Sequence, residues 1–89
     1  MRYNGYFSKR INSATTTQVK VGPSRIVRIV GLTPATGTTT IIDGDGTTNV
    51  TLGVLTWTAA SRSVELDIRV TNGIRITSSS TDDILVVYE

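Results

Sequence analysis

The chain has 89 residues and a net charge of +2, with no cysteine and no histidine. It is therefore read as one domain without a disulfide or a His/Cys metal clip, lacking the commonest general base and the most nucleophilic side chain. Sixteen threonines, eight serines and eight glycines favour strands and turns over helices. The longest apolar run is broken by Arg28, so no membrane span is expected, and the first residues lack the apolar core of a signal peptide.

A domain this small buries only roughly 60–65% of its unfolded surface, and association with other subunits is the remaining source of stability. Charge is unevenly spread. The first six charged residues are basic (Arg2, Lys9, Arg10, Lys20, Arg25, Arg28), whereas from Asp43 onward seven acids face three arginines. The N-terminal part is suited to an acidic partner.

Residues 1–14 interleave Tyr3, Tyr6 and Phe7 with Arg2, Lys9 and Arg10 and show neither strand nor helix periodicity. They read as an extended arm with three available surfaces: a neighbouring subunit, its own domain, or single-stranded nucleic acid. Residues 15–89 read as a sheet domain. Thr15 to Val21 is a first strand, stopped by Gly22-Pro23-Ser24. Arg25 to Leu32 is apolar on both faces, with Val27 and Ile29 on one side and Ile26, Arg28, Val30 and Leu32 on the other. That pattern suits a central strand or a subunit contact.

Thr33 to Gly37 is a loop and Thr38 to Ile42 a short strand. Asp43-Gly44-Asp45-Gly46 is a turn signal whose alternative is Ca²⁺ binding, but Thr48 and Val54 stand where an EF-hand loop needs glycine and glutamate. Thr48 to Trp57 alternates Val50, Leu52 and Val54 against Thr51 and Gly53. Leu55 and Trp57 then change parity, which predicts a bulge near Gly53 and a core position for Trp57.

Val64, Leu66, Ile68 and Val70 alternate with Glu65, Asp67 and Arg69, the period of a half-buried strand. Parity allows two continuations through Thr71-Asn72-Gly73. One is a three-residue hairpin with a bulge at Gly73, pairing Val70 with Ile74 and Ile68 with Ile76; the other is an arch into a second sheet. Ile84 to Tyr88 is the closing strand. Glu65 and Asp67 share a face expected to be open to water, where neither carboxyl would be tuned for catalysis. No phosphate-cradling glycine spacing occurs. No enzyme activity, cofactor or metal is expected.

The segments Gly22-Pro23-Ser24-Arg25-Ile26-Val27, Ile42-Asp43-Gly44, Val70-Thr71-Asn72-Gly73-Ile74 and Val86-Val87-Tyr88 together resemble the small all-β head decoration, or cement, proteins of tailed bacteriophages. The resemblance implies a small antiparallel β-sandwich or jelly-roll-like module, here of about seven strands. It further implies a homotrimer on the outer surface of the virion, seated between major capsid subunits. In that reading Arg25, Ile26, Arg28, Val30 and Leu32 form the subunit interface, while Arg2, Tyr3, Tyr6, Phe7, Lys9 and Arg10 anchor the arm on a neighbour. The alternatives are a tail, baseplate or fibre module, and a small barrel binding single-stranded nucleic acid.

Overall fold

The computed structural model describes residues 2–3, 6–32, 37–57, 63–79 and 83–89. The described residues hold no helix and nine strands: β1 (Arg2–Tyr3), β2 (Tyr6–Ile11), β3 (Thr16–Val21), β4 (Ser24–Gly31), β5 (Thr38–Gly44), β6 (Asn49–Thr56), β7 (Ser63–Val70), β8 (Gly73–Ser78) and β9 (Ile84–Tyr88). Every pairing is antiparallel. One sheet runs β1-β2-β9-β4-β7 and the other β3-β8-β5-β6. Setting aside the two-residue β1, four strands oppose four in jelly-roll order, so the domain is a small β-sandwich with one more full strand than the sequence suggested.

The additional strand is β2. Residues 6–11 are expected in an extended arm without strand periodicity, and the structure pairs them as a strand of their own domain with β9, from Phe7↔Tyr88 to Ile11↔Ile84, with Ile11 buried in the core. The sheet therefore begins within the expected arm, before residue 15. Lys9 disguises the strand, standing between Phe7 and Ile11 where period two calls for an apolar residue.

The core lies between the sheets. Ile26 and Ile29 of β4, Ile74 and Ile76 of β8, and Ile84 and Val86 of β9 have no solvent exposure, and Val64 and Leu66 of β7 pack against this cluster. Trp57 plugs it as expected: it is buried, and its indole N–H donates to Thr39 Oγ1 at 2.7 Å. The indole donor thus has a partner inside the fold.

Between β7 and β8 the arch is observed and the hairpin is not. Ile68 pairs with Ile26 of β4, while Ile76 pairs with Thr17 of β3 and Ile41 of β5. Val70 pairs with Ser24 in one sheet and Gly73 with Val21 in the other, and the arch keeps Val70 and Ile74 both buried. Asp43 holds the crossing, because its carboxylate accepts from the backbone N–H groups of Thr71 (3.1 Å), Asn72 (2.8 Å) and Gly73 (3.3 Å). Burial acts to raise the Asp43 pKa, but these donors and the Thr71 hydroxyl outweigh it and hold the carboxyl below its ordinary value.

A carboxyl lowered in the folded state adds stability above its unfolded pKa, about 3.9 for Asp, and loses it as pH falls through the folded value. Asp43→Asn is expected to cost about 1–3 kcal/mol at neutral pH, because it withdraws acceptor strength from three backbone donors. It should also flatten the acid limb of a melting-temperature profile taken across pH.

The turn that the sequence suggested at Asp43-Gly46 falls two residues later, at Asp45–Thr48, because Asp43 and Gly44 still belong to β5 and Gly44 pairs with Asn49. Asp45 accepts from the N–H groups of Thr47 and Thr48, both at 2.8 Å, and Gly46 supplies a positive φ of 95°. Both carboxylates serve backbone donors. Among the described residues no three His, Cys, Asp or Glu side chains are grouped to hold a metal ion.

Candidate interaction surfaces

In β4 a register irregularity at Val27 turns the strand over. Ile26 and Ile29 both face the core, whereas Arg25, Arg28 and Val30 face outward. The sequence placed Ile26 and Arg28 on one side, and the bulge separates them, since one extra residue reverses the alternation. Ile26 is fully buried and is core rather than subunit interface. Leu32, just beyond β4, is exposed. Opposite Val27, Asp67 adopts a left-handed φ of 51°, as the two residues Leu66 and Asp67 span one on β4.

With that correction, the outer face of the five-stranded sheet brings together residues expected in two separate sites. Register aligns Arg10, Leu85, Val30 and Ser63 in one row and Ser8, Val87, Arg28 and Glu65 in the next. Leu85, Val30 and Val87 make a half-buried apolar centre. Around it, Arg10 meets Asp83 in a two-pronged pair at 2.6 and 2.8 Å, Arg28 meets Glu65 at 2.8 Å, and Arg25 bridges Asp67 and Glu89. Arg10 draws the Asp83 carboxyl below its ordinary value, through hydrogen bonding first and charge second.

The acidic partners differ in exposure: Glu65 and Asp67 are open to solvent, at 69% and 75%, whereas Asp83 is only 15% exposed. Pairs of this kind contribute about 0–1 kcal/mol each. They orient charge on the surface more than they hold the fold. An apolar centre inside a rim of oriented charge is the anatomy of a protein contact. Glu65 and Asp67 thus answer different arginines, Arg28 and Arg25. A cleft of about 450 Å³ opens beside this face between Pro23, Arg25, Arg69 and Glu89; of its two arginines, Arg25 is paired with Asp67 and Glu89.

The remaining expected arm residues lie at the edge of this sheet. Tyr6 is half-buried, Lys9 is exposed, and the Phe7 ring stacks on Tyr88 with centroids 5.6 Å apart. The side chains of Arg2 and Tyr3, as well as residues 33–36 of the loop expected from Thr33 to Gly37, lie outside the described residues. Sequence reasoning missed Leu85 and Val87. Their signal was present, because a run such as Ile84 to Tyr88, apolar at every position, calls for cover on both faces of the strand, and here Leu85 and Val87 are only half-buried.

The other sheet has a different exterior. Thr16, Thr77, Thr40 and Val54 form one outward row, and Gln18, Arg75, Ile42 and Thr51 another. Arg75, the charged residue of these rows, donates to Gln18 Oε1 at 2.9 Å.

No family model matches the chain, and no curated protein matches it. Solved structures do resemble it. The core of the Drosophila protein NLP, described for its pentamer formation and histone binding, aligns over 94% of this chain and 95% of its own with a TM-score of 0.62. A Bacillus endospore appendage, from a family of disulfide-linked pili, aligns over 93% and 86% with a TM-score of 0.52. Sequence identity is 10% in both cases, so the likeness concerns the fold.

Proposed function

We propose that this chain is a structural assembly subunit without catalytic chemistry, acting as a decoration protein that cements a virion head by docking the outer face of its five-stranded sheet between capsid subunits. The observation that carries this reading is the convergence of Arg10, Arg28 and Val30 with Leu85 and Val87 on that face. A charged rim steers and registers a partner, and a central apolar patch holds it. A binding role of this kind needs no reaction, and contacts made only with the assembled shell stabilise it by mass action.

Two features support the proposal. Both structural neighbours belong to proteins that assemble, one into pentamers and one into pili. This chain has no cysteine, so an assembly of it forms without disulfides of its own and would draw on surfaces such as this one. The two-sheet sandwich differs from the closed five-stranded barrel of the nucleic-acid alternative, and Trp57 is buried rather than offered for stacking.

The test is co-sedimentation of purified chain with virion heads stripped of decoration. Leu85→Asp places a charge in the apolar centre at a position that does not face the core, so the fold should survive with a change of about 1 kcal/mol or less. Binding should fall at least tenfold, in line with a desolvation penalty of roughly 1–3 kcal/mol. Undiminished binding by the folded variant would show that another surface makes the contact.

A further inference from the structure

Among the described residues, the sheet edges at β7, β3 and β6 have no further strand paired to them, and they differ in how they are protected. A sheet edge offers unpaired N–H and C=O groups to any passing strand, and folded proteins blunt it with charge, bulges or coverage. The β7 edge carries Glu65, Asp67 and Arg69, with Asp67 in the left-handed conformation. The β3 edge carries Lys20 and an irregularity at Val19. By contrast, β6 is eight residues long, reads Asn-Val-Thr-Leu-Gly-Val-Leu-Thr, and contains no charged residue. Val50, Leu52 and Val54 on it are 54%, 41% and 57% exposed. A bulge at Leu52 interrupts its ladder with β5 once, leaving Asn49–Thr51 and Gly53–Thr56 as regular pieces.

We propose that the β6 edge is a self-association surface whose occupant is β6 of a second copy of this chain, antiparallel about a two-fold axis near Leu52. Charge selects the occupant. A partner bringing ions to this strand would desolvate them opposite groups that cannot answer them, which disfavours the chain's own β7 and β3 edges. A second β6 brings none. About a two-fold axis at Leu52, Gly53–Thr56 of one copy runs along Asn49–Thr51 of the other, so each bulge falls near the axis and the regular pieces pair. The contact is isologous and closes on itself, which produces a dimer rather than a fibre. This inference does not depend on what the outer face of the five-stranded sheet binds.

Light scattering coupled to size exclusion should show the wild-type chain passing from monomer to dimer as concentration rises. Val54→Lys substitutes an exposed side chain, so its melting temperature should stay near wild type while dimerisation weakens at least tenfold. Because the chain has no thiol of its own, Leu52→Cys should give a disulfide-linked dimer under mild oxidation, and Val21→Cys on the β3 edge should not. Leu85→Asp should dimerise like wild type, which separates this contact from the docking face. A wild-type chain that stays monomeric, a Val54→Lys variant that dimerises unchanged, or Val21→Cys cross-linking as fully as Leu52→Cys would each overturn the proposal.

Discussion

Truncating Ile76 to alanine is expected to remove about 2–5 kcal/mol of stability, the range for a fully buried isoleucine whose cavity closes only in part. Ile76 has no solvent exposure and stands mid-strand on β8, in register with Thr17 on one side and Ile41 on the other. With neighbours fixed by two ladders, the site has little freedom to collapse. A chain of this length has roughly 4–13 kcal/mol in total, so the variant should lie at the edge of folding at physiological temperature. Ile42 is the internal control. It is next to Ile41 on β5 but faces outward and is half-buried, and its truncation should cost about 1 kcal/mol or less. Denaturant titration of both variants checks this, with the midpoint moving and the slope unchanged. Equal losses at the two sites would contradict the assignment of the inner face.

The second large effect is expected at Gly73, where Ala should destabilise by about 2–4 kcal/mol. A methyl group there would stand 2.4 Å from the carbonyl oxygen of Lys20 and 2.7 Å from that of Gly44, and the backbone φ of 149° lies in a region that side chains avoid. Overpacking and backbone strain each cost about 1–3 kcal/mol. The carbonyls belong to β3 and β5, the strands flanking β8, so neither can retreat without opening a ladder. Gly22, with a φ of 94°, has open space around its added methyl. Gly22→Ala should therefore show backbone strain alone and a smaller loss. Thermal unfolding of the pair separates the two contributions, with about 4–8 °C expected per kcal/mol for a domain of this size.

These sites also show what the sequence made legible. Alternation in Val64 to Val70 and the unbroken apolar run of Ile84 to Tyr88 identified strands because period-two burial is written directly into residue order. The change of apolar parity between Leu52 and Leu55 announced the bulge that is observed at Leu52. Harder to read were features set by partners distant in the chain. The choice of arch over hairpin at Thr71-Asn72-Gly73 depends on Asp43, about thirty residues earlier, accepting the arch amides. The irregularity at Val27 leaves no trace in a run where nearly every residue is apolar, so the outward placement of Arg28 and Val30 against the burial of Ile26 could not be derived locally. The β2 strand was hidden by Lys9, whose charge interrupts an alternation that otherwise ends in buried Ile11.

The interaction surface was legible in fragments. Arg10 was assigned to an arm and Arg28 and Val30 to a subunit strand, and β9, lying between β2 and β4, joins them. Leu85 and Val87 complete the patch because they are the outward half of a strand whose inward half, Ile84 and Val86, is fully buried.

The most direct test of the central claim is the amount of wild-type chain bound at saturation to heads stripped of decoration, measured by quantitative mass spectrometry against the major capsid protein. The account predicts saturable binding in fixed proportion to the capsid protein, lost on Leu85→Asp. No binding by the folded wild-type chain, or binding limited to the few copies a tail axis can seat, would contradict it.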